Sequence, residues 1–259
     1  MDTSEEHFST AEAATENAPV PLAHQAVHDT VVNILQNFSR GKLLDVPAGE
    51  GALAARLIAT GFEVQCCDLY PEIFRLSGVE IRQGDLSGTL PYPDSSFEYV
   101  ACLEGLEHIE NPQQAIREFA RVLQPGGQLI ASVPNIMNIE ERLKWLFYGY
   151  TSHFKPITRQ SVQHVRNEFG DKVEVALHVH AISYSELRYA LEACGFEIVR
   201  LYRDKPKAHL WLYWPIVILI RLIAVFTSEH KRRERWTDEL QSKEVLLGGN
   251  TLILHAVRK

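Results

Sequence analysis

The apolar positions of this chain recur at two spacings, and segments with one spacing take turns with segments with the other. Between Leu22 and Phe38, apolar residues fall at Val27, Val31, Ile34, Leu35 and Phe38, the spacing of a helix with one buried face. Leu43, Leu44 and Val46 form a short apolar run suited to a strand covered on both sides. A turn with Gly49 and Gly51 follows, then a helix from Ala52 to Thr60 closed by Gly61. Further strands are expected over Phe62–Cys67, Val79–Gln83, Phe97–Leu103, Gln128–Val133, Phe196–Leu201 and Asn250–Val257. Asn111 as N-cap and Pro112 at the first helical position start a helix that Gln124-Pro125-Gly126-Gly127 stops. Helices are also expected over Glu140–Phe147 and Thr158–Phe169. Another runs up to Cys194 behind a capping box of Ser183 and Glu186. Strands alternating with helices predict an open, mostly parallel sheet with helices on both faces.

One stretch breaks this rhythm. Leu210 to Phe226 is almost wholly apolar, with Trp211, Tyr213 and Trp214 at one end. It is short of the about 20 residues that span a bilayer, and Pro215 and Arg221 also count against a span. The cluster Lys231-Arg232-Arg233-Glu234-Arg235 lies beyond it. Aromatics at one end and basic residues past the other fit a helix lying in a membrane interface. The alternative is a helix covered by protein, either buried or in a homodimer, since so apolar a surface needs a cover.

Composition narrows the class. A hydrophobic content of 46% supplies a sizeable core. A formal net charge of −7 argues against a nucleic-acid binder, for no basic field covers the chain. Cys66, Cys67, Cys102 and Cys194 show no Cys-x-x-Cys spacing and read as reduced core residues of a cytoplasmic protein. The start of the chain is acidic and lacks an apolar run, so residues 1–20 are expected to be a flexible tail and not a signal peptide.

The glycine turn carries the candidate chemistry. Gly49-x-Gly51-x-x-Ala54 fits a dinucleotide fingerprint, but Asp45 and Glu50 would repel a pyrophosphate at short range. A ligand bearing an ammonium and a sulfonium would be attracted instead. Asp45-x-x-x-Gly49-x-Gly51 resembles motif I of the class I S-adenosylmethionine (SAM) methyltransferases, which more often place Gly-Cys or Gly-Thr where this chain has Pro47-Ala48. Glu104-x-x-Glu107-His108 resembles a run in the ubiquinone-biosynthesis O-methyltransferases, and Leu123-x-Pro125-Gly126-Gly127 is a further hallmark of the wider family. These motifs occupy residues 42–135.

The resemblance implies a Rossmann-like, seven-stranded, mostly parallel sheet whose antiparallel last strand lies between strands 5 and 6. Residues 21–259 would form this domain, with a substrate lid over 136–182 and an apolar, basic helical insertion over 203–248. It implies SAM as cofactor, with Asp45, Ala48, Gly49, Gly51, Leu69, Leu86 and Leu103 around it. Asp68 would accept the ribose hydroxyls and Asp85 would meet the adenine amino group. Helix capping and a turn are the plain alternatives for these two aspartates. Glu104 and His108 are the catalytic candidates, His108 as a general base. In the resembled enzymes the Glu-x-x-Glu-His run has been linked to a divalent metal; the reading favoured here is that the run shapes the loop and holds none. In the lid, Tyr150, His153 and Lys155 are candidates to face substrate. Arg142, Lys144, Arg159 and Arg166 form either a cationic rim or solvated helix faces. His178 and His180 would share one face of a strand-like stretch and read as structural.

The expected activity is methyl transfer from SAM to an O or N atom of a small-molecule or lipid-linked acceptor, by a cytoplasmic protein peripheral at the inner face of an anionic membrane. Three rivals stand beside it: a soluble small-molecule methyltransferase dimerising through the apolar helix, a SAM-binding scaffold without catalysis, and a nicotinamide oxidoreductase.

Overall fold

The computed structural model describes residues 18–169, 177–207 and 209–259. The expected tail over residues 1–20 and the 170–176 part of the lid lie outside the described residues, apart from residues 18–20. Seven strands form one sheet: β1 (Lys42–Asp45), β2 (Glu63–Asp68), β3 (Ile81–Gln83), β4 (Phe97–Leu103), β5 (Leu123–Pro134), β6 (Phe196–Arg203) and β7 (Thr251–Arg258). Their order is β3-β2-β1-β4-β5-β7-β6, and β7 runs antiparallel to both of its neighbours. The expected seven-stranded, mostly parallel sheet with its reversed last strand is therefore present.

The period of two along each strand sorts the core. Leu44, Val100, Leu129 and Leu254 face one side, packed against Ile116 and Phe119 of α3 (Pro112–Val122) and Leu191 of α6 (Tyr184–Ala193). Their sequence neighbours Leu43, Ala101, Ile130 and Ile253 face the other side. There they meet Val27, Val31 and Leu35 of α1 (Gln25–Leu35) and Leu53 and Leu57 of α2 (Ala52–Ala59). Both faces are covered, which is why these strands read as continuous apolar runs. α3 starts as expected, with the Asn111 carboxamide accepting from Gln114 N at 3.3 Å and Pro112 at its head. At its far end Arg121 donates to the Leu90 and Tyr92 carbonyls, at 3.0 and 2.8 Å, and pairs with Glu118 and Asp94. This fixes the turn-rich loop before β4.

Three expectations are corrected. β5 starts at Leu123, not Gln128: Leu123 pairs with Phe97, and the ladder shifts register around the Pro125-Gly126-Gly127 turn. The capping box at α6 is half made. Ser183 accepts from Glu186 N at 3.2 Å, while the Glu186 carboxylate turns to His180 Nε2 at 2.7 Å. Residues 177–183 are not a strand. They cross as an open loop, held by Val179 N and His180 N donating to the Glu107 carbonyl at 2.9 and 3.0 Å.

The segment between β6 and β7 leaves and returns over a two-residue bridge, Pro206 to Gly248. It carries α7 (Leu210–Val225), α8 (Glu229–Glu234) and α9 (Thr237–Leu240). Its root is tied to α4 (Ile139–Tyr148) and to the end of β5. Asn135 Nδ2 donates to Val245 O at 2.9 Å, Ile139 N to Leu246 O at 2.9 Å, and an Arg142 guanidinium N–H to Leu240 O at 2.8 Å. Val217 of α7 packs there on Ile139, Leu246 and Leu247. The opposite side of α7, with Trp211, Leu219, Ile223 and the following Phe226, is open, Phe226 being 88% exposed. No described helix is long and apolar enough to cross a membrane. The end of α4 is equally bare: Trp145, Leu146, Phe147 and Tyr148 are all exposed.

Candidate functional site

Parallel strands bring their carboxyl ends to one edge, and an open α/β sheet receives its ligands there. β1 ends at Asp45, β2 at Asp68, and Glu104 follows β4. The glycine turn between β1 and α2 lies over them. Gly49 and Gly51 have φ of 54° and 94°, a left-handed backbone that side chains resist. A Cβ on Gly49 would stand 2.7 Å from the Leu22 side chain, and one on Gly51 2.7 Å from Phe74. Asp68 anchors the turn: one carboxylate oxygen accepts from Gly49 N at 2.8 Å, the other from Tyr70 N at 2.9 Å. A carboxylate has about four lone-pair sites, so acceptor capacity for hydroxyls remains.

Asp45 is 2% exposed, and its Oδ2 has no partner. Burial above all, and next the charge of Asp68, push its carboxyl up to about 8, against a backbone N–H from Ala54. A cation placed at Asp45 would relieve both effects, so the chemistry of this position fits the positive methyl donor. Glu50 does not share the task expected of it. It pairs with Arg75 at 3.3 Å and accepts from Val20 N at 2.9 Å, so its charge serves the loop. Leu69 presents its carbonyl to Gln83 Nε2, and Leu86 and Leu103 are buried. Asp85 is exposed and accepts from Ser87 N at 2.7 Å, the turn geometry that was its plain alternative. Ala48 is buried, its N–H donating to Cys67 O at 3.0 Å.

The turn after β4 holds the remaining groups. Glu104 has φ 49° and accepts from the Thr251 hydroxyl at 2.9 Å; burial raises its pKa. The Glu107 side chain is 0% exposed, and neither carboxylate oxygen has a partner. Burial, and then the charge of Glu104, drive its pKa well above the usual range. His108 places Nδ1 3.0 Å from the Leu177 carbonyl, so Nδ1 carries the proton and Nε2 offers a lone pair. Burial, which favours the neutral ring, lowers its pKa against the Leu177 hydrogen bond. His178 reaches in from the open loop. Its ring lies 4.7 Å from that of His108 and 5.9 Å from that of His153, and burial first, then these imidazoles, lower it to about 4. Pattern reading missed His178, because its alternation with His180 suggested a strand and not a loop that turns one imidazole inward. Arg142 and Lys144 are not a rim. Arg142 bonds to main-chain carbonyls, and Lys144 is held by Glu140, Glu141 and Ser152. Arg159 and Arg166, on α5 (Arg159–Phe169), and Lys155 are exposed, and Tyr150 lies with its ring 6.1 Å from Tyr148. Cys66, Cys67, Cys102 and Cys194 are all free thiols.

A strand-tip aspartate with one unpartnered oxygen, a carboxylate-anchored glycine turn and this strand order are what the resemblance to class I SAM-dependent methyltransferases implies. Residues 44–131 match the family model described as "Methyltransferase domain", and this segment is similar to that family. Over 108 residues it is 36% identical to a ubiquinone biosynthesis O-methyltransferase of Xanthomonas oryzae pv. oryzae (strain PXO99A), covering 38% of this chain and 45% of that protein. A protein of the same name from Xylella fastidiosa (strain M23) is 32% identical over 108 residues, covering 38% and 44%. The match thus spans less than half the length of these curated relatives. Among solved structures, a SAM-dependent methyltransferase from Archaeoglobus fulgidus superposes with a TM-score of 0.54 at 14% identity, covering 89% of this chain and 94% of that one. One from Mesorhizobium loti gives 0.52 at 15%, covering 90% and 99%. At these identities the likeness is one of fold.

Proposed function

We propose that this chain moves the sulfonium methyl of SAM to an oxygen or nitrogen of a lipidic or lipid-linked acceptor, while resting on an anionic membrane surface from the cytoplasmic side. The observation that carries the lipid half is the open apolar face of α7, with Trp211 at 69% exposure and Trp214 beside it, followed by the basic residues Lys231, Arg232, Arg233 and Arg235. The bare Trp145–Tyr148 end of α4 belongs to the lid, so apolar surface and acceptor side share an element.

The donor supplies an activated methyl: its C–S bond breaks as the new C–O or C–N bond forms, and it leaves as a neutral thioether. The chain's own part is placement and exclusion of water. Asp45 holds the donor's positive end, Asp68 and the Gly49–Gly51 turn hold its nucleoside, and Leu86 and Leu103 line its apolar side. Asp85 stands at the rim. An acceptor that arrives ionised needs no base; a protonated one gives its proton to His108 Nε2, because Nδ1–H is spent on Leu177. Glu104, fixed by Thr251, borders the same space.

The test is incubation of the full chain with methyl-labelled SAM and either a lipid extract or an aqueous extract. Label in the lipid fraction is expected. Label in the aqueous fraction alone would leave the soluble small-molecule reading, and SAM binding without turnover on either extract would leave the scaffold reading.

A further inference from the structure

Glu50, between the two glycines of the turn, grips two segments that lie far apart in sequence. It is part-buried, and its Oε2 accepts from Val20 N at 2.9 Å and meets Arg75 Nε at 3.3 Å. Its main-chain carbonyl accepts from Arg75 N at 3.1 Å. The first segment is Pro19-Val20-Pro21-Leu22, ahead of α1. Neither proline has an N–H, so residues 19–21 carry one main-chain donor, that of Val20, and it goes to Glu50. Each proline also fixes its own φ and biases the residue before it to extended backbone, so this strap is stiff. Leu22 rests on Gly49, and Phe74 and Leu76 of the second segment rest on Gly51: a Cβ on Gly51 would stand 2.7 Å from Phe74 and 3.0 Å from Leu76. The second segment leaves the end of β2, where Asp68 takes the N–H groups of Gly49 and Tyr70. Val20, Leu22 and Arg75 are exposed, so burial does little to hold these residues in place.

We propose that Glu50 is the latch of a two-armed clasp on the donor site: residues 19–22 and 69–76 close on the glycine turn, Glu50 holds both arms, and its release admits SAM and lets the spent thioether go. The proposal rests on the SAM reading of the turn and goes beyond it, since binding by Asp45 and Asp68 asks for no carboxylate engaged with Val20 and Arg75. Donor and arms are coupled in both directions: closed arms keep the donor in, and a donor in the turn favours closed arms. The strength of the tie suits the task. One main-chain donor and one half-exposed guanidinium on a single carboxylate make a modest bond, enough to bias an equilibrium and weak enough to open in each cycle. Glu50 acts through the two arms and is a positioning residue.

The test is the rate at which labelled SAM leaves the whole chain when chased with unlabelled SAM. Glu50→Ala should speed release by about tenfold. Glu50→Gln keeps an acceptor for Val20 N and loses the charge facing Arg75, so it should speed release by only about threefold, as should Arg75→Ala. Glu63→Gln, whose carboxylate pairs with Lys42 at the start of β2, should change it by less than about twofold. Amide exchange at Val20 and Arg75 should slow when SAM binds the native chain. In Glu50→Ala the Val20 amide should stay fast with SAM bound while the amides of β5 exchange as in the native chain, which a general loosening of the fold would not allow. Release from Glu50→Ala at the native rate overturns the clasp, and so do native Val20 and Arg75 amides that SAM does not slow. The native exchange decides the matter should Glu50→Ala fail to fold. SAM held by the native chain but passed to no acceptor would overturn methyl transfer and leave the clasp; a native chain that binds no SAM overturns both.

Discussion

A carboxyl shut away from water stays protonated until something positive arrives, and Asp45 is such a group. In the unfolded chain it ionises near its ordinary value of 3.8; in the fold it waits until about 8. Its contribution to stability is therefore complete below pH about 4 and is lost as pH climbs to about 8. Asp45→Asn removes this dependence, so its melting temperature should gain on the native protein's between pH 5 and 8.5, at about 2–4 °C for each kcal/mol. The same variant should bind SAM more weakly by about 2 kcal/mol. Native affinity should rise from pH 6.5 to 8.5 with release of about one proton, measured by calorimetry in buffers of different ionisation heat. At Gly49, substitution by Ala meets both a φ of 54° and the Leu22 side chain, and should cost about 1–2 kcal/mol in a denaturant melt. Adding Leu22→Ala should return only the steric part. Asp45, Gly49, Gly51 and Asp68 were legible because they fall within two strand ends and one turn. The role of Glu50 was not, because Arg75 and Val20 reach it only in three dimensions. His178 was illegible for a related reason: nothing in a polar stretch says which way a loop side chain turns.

Elements were easiest to read where burial on both sides made the pattern continuous. β4 and the start of α3 fall where apolar spacing and the Asn111-Pro112 signal place them. β5 begins earlier because its first residues pair with Phe97 across a glycine turn that looks, in sequence, like a stop. Arg121 shows what holds one element to the next. One guanidinium serves two carbonyls and two carboxylates, so Arg121→Ala should destabilise the fold by about 1.5–3 kcal/mol and loosen the loop before β4. Chemical denaturation measures the first effect, and amide exchange at Ser95 and Ser96, whose N–H groups bond to α3 carbonyls, measures the second.

At the scale of the molecule, the proposed membrane contact makes two demands. Leu219→Glu with Ile223→Glu places charge on the open side of α7, away from the Val217 contact. It should abolish flotation with anionic vesicles and leave the melting temperature within about 1–2 °C. Binding of the native chain should fall as salt rises from 0.05 to 0.5 M, since the Debye length shrinks from roughly 14 to 4 Å. The apolar helix was evident from the sequence, which left open whether it was covered; that one side packs on Ile139, Leu246 and Leu247 and the other is open emerged only from the structure. The bridge between Pro206 and Gly248 carries a last consequence. Because departure and return occur at neighbouring rungs of one ladder, everything beyond them is a cassette on a common stalk. A tight hairpin could replace it without reordering a single slat of the sheet, at the expense of the carbonyls that Asn135, Ile139 and Arg142 now hold. If the proposed membrane contact holds, the address at which the chain works and the reaction it performs would be written in separable paragraphs of one chain.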